Sequence, residues 1–126
     1  MVELPANFRR IRLELAREPG HPVGSPLDGY EFAAPLMPDG HIDAATWKKH
    51  AEHCRVRRFR AHETDQHGRL ARKPGGSWYF DYDRGSDADD ESGFRFNKES
   101  FQPGEYVSIR DDEHMHTYQI VSVEPL

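Results

Sequence analysis

Two runs near the end of the chain, Tyr106-Val-Ser-Ile-Arg and Met115-His-Thr-Tyr-Gln-Ile-Val-Ser-Val-Glu, are rich in β-branched and aromatic residues and are separated by Asp111, Asp112, Glu113 and His114. Strand-forming runs on either side of a turn that resists burial read as a β-hairpin, launched here by Pro103-Gly104. A lone hairpin is marginal in water, so this one requires further strands that share its apolar face. That requirement constrains the rest of the chain.

The upstream sequence supplies them. Ile11, Leu13 and Leu15 alternate with Arg10, Arg12 and Glu14, which is the period of a half-buried strand. Pro19 to Pro26 reads as a loop, and Tyr30, Phe32, Ala34 and Leu36 alternate again before Pro38-Asp39-Gly40. A strand is expected from Cys54 to His62. Val56 and Phe59 are three apart there, so a β-bulge at Arg57-Arg58 is expected to restore the alternation. Leu70 to Lys73 and Ser77 to Asp83 form a second hairpin around Pro74-Gly75-Gly76, with Trp78, Phe80 and Tyr82 on one face and Tyr79, Asp81 and Asp83 on the other. Arg84 to Gly93 reads as an acidic loop and Phe94 to Phe96 as a short strand. One helix is expected, from Ala44 to Cys54. Asp43 is its N-cap, Ile42 and Trp47 form a hydrophobic staple, and Ala44, Trp47, Ala51 and Cys54 make its apolar stripe. The fold class is therefore mainly β: a small antiparallel β-barrel or strongly curved sheet of about eight short strands, with one α-helix packed on it.

At 126 residues the chain, 1–126, is expected to be a single domain. A single cysteine, Cys54, excludes an intrachain disulfide and suits a reducing cytoplasm. No apolar run reaches the length of a membrane span, so no membrane association is expected. The net charge of −5 disfavours nucleic acid as the partner, and the acidity lies in the second half: residues 1–63 carry ten Lys/Arg and nine Asp/Glu, residues 64–126 seven and thirteen.

The basic residues that remain are clustered. Arg10 and Arg12 share one strand face, and Arg55, Arg57, Arg58 and Arg60 crowd the strand after the helix. Neighbouring strands would gather these guanidinium groups into a site for a phosphate, a carboxylate or a protein partner. Against this stands cross-strand pairing with Asp81, Asp83, Glu14 or Glu31. A second reading places zinc on His50, His53 and Cys54, with His114 and His116 as supplements, although Cys54 also completes the apolar stripe. A third is a barrel that binds single-stranded RNA. Asp87, Asp89 and Glu91 have the alternate spacing of calcium ligands without the glycine expected next, and Asp81 with Asp83 could form a carboxylate pair. No nucleophile elbow, phosphate-binding loop, dinucleotide fingerprint or H-E-x-x-H motif is present, so no chemistry of the protein's own and no resident cofactor are expected.

Phe101-Gln-Pro-Gly-Glu-Tyr-Val, followed by Tyr118, resembles the F-x-P-G-Q-Y-V strand of ferredoxin-reductase-type flavin domains. The R-x-Y-S stretch that grips flavin in that family is here His116-Thr-Tyr-Gln, without its Arg or Ser, so the resemblance implies a strand and turn but no flavin site. Through Leu4-Pro-Ala-Asn-Phe-Arg-Arg-Ile-Arg-Leu-Glu-Leu and Gly76-Ser-Trp-Tyr-Phe-Asp-Tyr-Asp the whole chain also resembles short bacterial proteins of unassigned function, which implies no activity. The expectation is a binding module of unknown ligand, an anion or a protein, held at the arginine strands.

Overall fold

A computed structural model describes residues 4–20, 22–83, 91–93, 100–111 and 114–126. The strands are β1 (Phe8–Leu15), β2 (Ser25–Pro35), β3 (Arg55–Phe59), β4 (Gln66–Arg72), β5 (Trp78–Tyr82), β6 (Glu91–Gly93), β7 (Tyr106–Asp111) and β8 (His114–Pro125). Helix α1 (Ala44–His50) and a 3₁₀ turn (Ala51–His53) connect β2 to β3. Each strand pairs antiparallel with the next and β8 pairs with β1, which closes a barrel whose shortest link is the three-residue β6. Among the described residues every strand has a neighbour on both sides, so no edge strand is left to template aggregation.

The inward positions are those the alternation marks. Ile11, Leu13, Tyr30, Phe32, Ala34, Leu70, Trp78, Phe80, Val107, Ile109, Tyr118 and Ile120 are all buried. Side chains fill the interior of a barrel of this size. Tyr30 packs on Phe80 and Tyr118 at ring separations of 5.2 and 5.1 Å, and Phe32 meets Phe101 edge-on at 5.7 Å. Both predicted hairpins form, with Leu70 opposite Phe80 and Asp111 opposite His114.

The helix starts where its cap predicts: Asp43 Oδ1 accepts from Thr46 N at 3.1 Å and Oδ2 from Thr46 Oγ1 at 2.7 Å. It covers the end of the barrel at which β1, β3 and β5 begin. Trp47 stands edge-on to Trp78 at 4.9 Å and donates from Nε1 to the Leu70 carbonyl at 3.0 Å. It stops at His50, four residues short of the expected end. Cys54 has already joined the sheet, because its carbonyl accepts from Leu70 N at 2.8 Å, and a helix cannot supply that partner.

Three other expectations are corrected. The Pro19 to Pro26 loop ends early, since Ser25 pairs with Leu15 while Glu14 pairs with Gly29, so the intervening residues of β2 bulge outward. Glu91 to Gly93, read as part of the acidic loop, form β6. The bulge at Arg57-Arg58 is absent, for β3 runs in unbroken register against β2. The Phe94 to Phe96 strand, the turn residues Asp112 and Glu113, and the calcium candidates Asp87 and Asp89 lie outside the described residues. Among the described residues no helix is long and apolar enough to cross a membrane.

Candidate functional site

The regular register of β3 determines where its arginines go. Phe32, Glu31, Tyr30 and Gly29 on β2 stand opposite Val56, Arg57, Arg58 and Phe59. Directly opposed residues share a face of the sheet. Tyr30 and Phe32 belong to the core, so Val56 and Arg58 face inward while Arg57 and Phe59 face outward. Phe59 is nevertheless only 8% exposed, without belonging to the core cluster. It lies over Gly29, where a Cβ would come within 3.0 Å of the ring, and beneath the guanidinium carbons of Arg12 and Arg57 at 4.5 and 5.0 Å from its centroid. Two flanking cations and their aliphatic stems thus bury an aromatic ring on the outside of the barrel.

Carboxylates hold those cations in place. Arg12 pairs with Glu14 at 2.8 Å and Glu31 at 3.3 Å, and Arg57 with Asp65 at 3.1 Å and Glu31 at 3.7 Å. The Arg12 pKa is raised, chiefly by its hydrogen bond to Glu14. Arg55 pairs with Asp83, and that hydrogen bond lowers the Asp83 carboxyl below the usual carboxylate range. A general acid needs the opposite shift, so Asp83 is unsuited to that role.

Arg10 differs. It is exposed, stands between Ala33 on β2 and Glu124 on β8, and forms no ion pair among the described residues. The short Ala33 side chain leaves a shallow hollow of about 280 Å³, lined by Arg10, Ala33 and Arg55 with Glu31, Arg57 and His67 to one side. Arg69 on β4 extends the basic row beside Arg55.

The six predicted arginines are therefore divided. Arg10, Arg12, Arg55 and Arg57 share the outer face. Arg58 reaches into the end of the barrel away from the helix, where Nη1 donates to Gln66 Oε1 at 2.8 Å. Arg60 borders the same open end with Leu15, Glu18, Asp28, Glu63, His116 and Tyr118, around a cavity of about 220 Å³. His116 Nδ1 lies 2.9 Å from Glu18 Oε2 there. Strand parity assigns Arg58 inward, but the assumed bulge concealed it. Arg69 and His67 were missed because neither stands in a recognisable motif.

The proposed zinc ligands do not converge. His50 and His53 rings are 6.5 Å apart, His53 approaches Glu52, and the Cys54 thiol is fully buried with Sγ 3.6 Å from the His50 carbonyl. Among the described residues no three His, Cys, Asp or Glu side chains gather as a metal site, the His114 and His116 pair included. The helix boundary is the reason, because Cys54 sits on the sheet and not one helical turn from His50. Burial pushes the Cys54 thiol from 9.0 up to about 12, the reverse of what a nucleophile requires. Its stabilising contribution is fully present below pH 9.0 and lost as pH rises toward about 12, at about 1.4 kcal/mol per unit. Comparing unfolding free energies of wild type and Cys54→Ala across that window checks this; parallel curves would refute it.

No protein-family model, curated protein or solved structure matches the chain.

Proposed function

We propose that the protein is a binding module that takes a small anion, such as a phosphate or carboxylate group, in the hollow between Arg10 and Arg55. The observation that carries this reading is that Arg10, although Glu124 stands opposite it on β8, forms no ion pair among the described residues and borders a concavity that Ala33 leaves open. Arg12 and Arg57 are held by Glu14, Glu31 and Asp65, and their role is to keep the wall of the hollow in place over Phe59. Arg55 exchanges Asp83, at the exposed surface, for the ligand when it binds. The pair is about half exposed on each side, so that exchange is inexpensive.

Titration of the protein with inorganic phosphate, followed by amide chemical shifts, is expected to give saturable changes around Arg10, Ala33 and Arg55. The double variant Arg10→Ala/Arg55→Ala should weaken binding by about tenfold or more, since each charged hydrogen bond is worth about that factor. Equal affinity in the variant would overturn the reading. So would tight binding of single-stranded RNA with a steep salt dependence, which would assign the face to a polyanion.

A further inference from the structure

A second concavity lies at the helix-covered end of the barrel, away from the outer arginine hollow. About 560 Å³ opens between the residues leading into β1, the turn after β2, the segment before β7, and Val123 on β8. Leu36 and Phe101 form an apolar floor, and Met37, 41% exposed, stands at the rim with Pro103. Backbone bonds tie the walls together: Leu36 N to Asn7 O at 3.0 Å, Met37 N to His41 O at 2.8 Å, and Phe101 N to Gly40 O at 2.8 Å. The backbone walls of the groove are therefore preformed, which lowers the cost of filling it.

Its polar groups are unequally satisfied. Asp43 is saturated by Thr46 and by Asn7 Nδ2 at 3.1 Å, and it is held ionised below the usual carboxylate range, chiefly by the Thr46 side-chain bond. The contact with an ionised carboxylate also sets the orientation of the Asn7 amide, because the reverse orientation would place oxygen against oxygen. Asn7 Oδ1 is consequently buried with no hydrogen-bond donor among the described residues. An acceptor left in that state costs free energy that an entering N–H would recover once a side-chain shift at the wall uncovers the oxygen, which is closed to solvent in the empty groove. Beside it Arg9 uses Nη1 on the Ala6 and Phe8 carbonyls, at 2.7 and 2.9 Å, and has no carboxylate partner among the described residues.

We infer that this groove binds the apolar C-terminal residue of a partner polypeptide: its backbone N–H to Asn7 Oδ1, its terminal carboxylate to Arg9, and its side chain onto Leu36 and Phe101. One residue with these three features meets each unsatisfied demand of the groove. An N-acylated apolar amino acid has the same chemistry, but only a chain end continues past the rim, where Met37 and Pro103 give the preceding residues something to contact. The inference is independent of the anion hollow, which shares no lining residue with the groove.

The test uses the whole protein, ¹⁵N-labelled, and three probes: acetyl-Gly-Ser-Gly-Ser-Leu with a free carboxylate, the same peptide amidated, and N-acetyl-leucine. Saturable shifts at Asn7, Arg9, Met37 and Phe101 are expected with the first probe. The amide should bind about tenfold more weakly, and N-acetyl-leucine more weakly than the acid peptide. Arg9→Gln should remove the difference between acid and amide while leaving thermal unfolding within a few degrees of wild type. Equal binding of acid and amide by the wild-type protein would overturn the inference. So would N-acetyl-leucine matching the peptide, which would make the ligand a free metabolite, and so would no saturable shift, which would leave the groove to water.

Discussion

Trp78→Ala is expected to lose about 3–5 kcal/mol of folding free energy, the range for removing a large aromatic ring from a packed core. The indole is 1% exposed at the end of the barrel, with Trp47 edge-on at 4.9 Å on one side and the Arg72 guanidinium 5.1 Å from its centroid on another. Its removal opens a cavity and takes away the surface on which α1 rests. The helix then keeps the Trp47 bond to the Leu70 carbonyl and the edge-on contact of His50 with Phe8. Against a total of about 5–15 kcal/mol for a domain of ordinary stability, such a loss brings the protein close to unfolding at room temperature. Urea denaturation checks the magnitude, and near-ultraviolet circular dichroism reports whether the remaining tryptophan still has a fixed environment. A loss below about 1 kcal/mol, the level typical of surface changes, would show that the helix does not depend on this ring.

Gly29→Ala is expected to cost about 3 kcal/mol, the upper end for overpacking, although it adds one methyl group. An added Cβ would overlap the Leu13 carbonyl oxygen and sit 3.0 Å from the Phe59 ring. The ring can swing away, but the carbonyl belongs to β1 and moves only with the β1–β2 ladder. Removing the ring as well, in Gly29→Ala/Phe59→Ala, should therefore recover little. Substantial recovery in that double variant, read by thermal unfolding, would mean that the ring and not the strand spacing excludes the methyl.

The C-terminal hairpin, the Trp78 hairpin and the buried faces of β1 and β2 were legible because each is a local pattern. Alternation of apolar and charged residues over five to eight positions has one economical explanation in a short chain, and the strands it marks needed a common interior. The cap at Asp43 was legible for the same reason, since an N-cap and its N3 partner are neighbours in sequence. The C-terminus of that helix was not. What ends it is the bond from Leu70 to the Cys54 carbonyl, and nothing in the residues beside Cys54 announces that partner.

The candidate sites were less legible than the fold. Arginines at positions 55, 57, 58 and 60 could be seen to cluster, and their carboxylate partners Glu14, Glu31 and Asp83 could be named. Which of them point outward depended on register. Phe59 appeared to demand a bulge because burial was equated with facing the core, whereas the ring is covered on the outer surface by Arg12 and Arg57. The groove at the helix end joins residues near 7, 36, 101 and 123, so no local pattern could reveal it.

By itself, then, the sequence determined a mainly β chain, its inward positions, the one helix start and the inventory of charges, all of which follow from the chemistry of near neighbours. Tertiary structure alone decided the closure of β8 on β1, the division of the arginines between the outer face and the open end, and the separation of Cys54 from any metal-binding group among the described residues. Those outcomes depend on which strands lie side by side and in what register, and contacts between distant segments are set by the packing of the whole barrel.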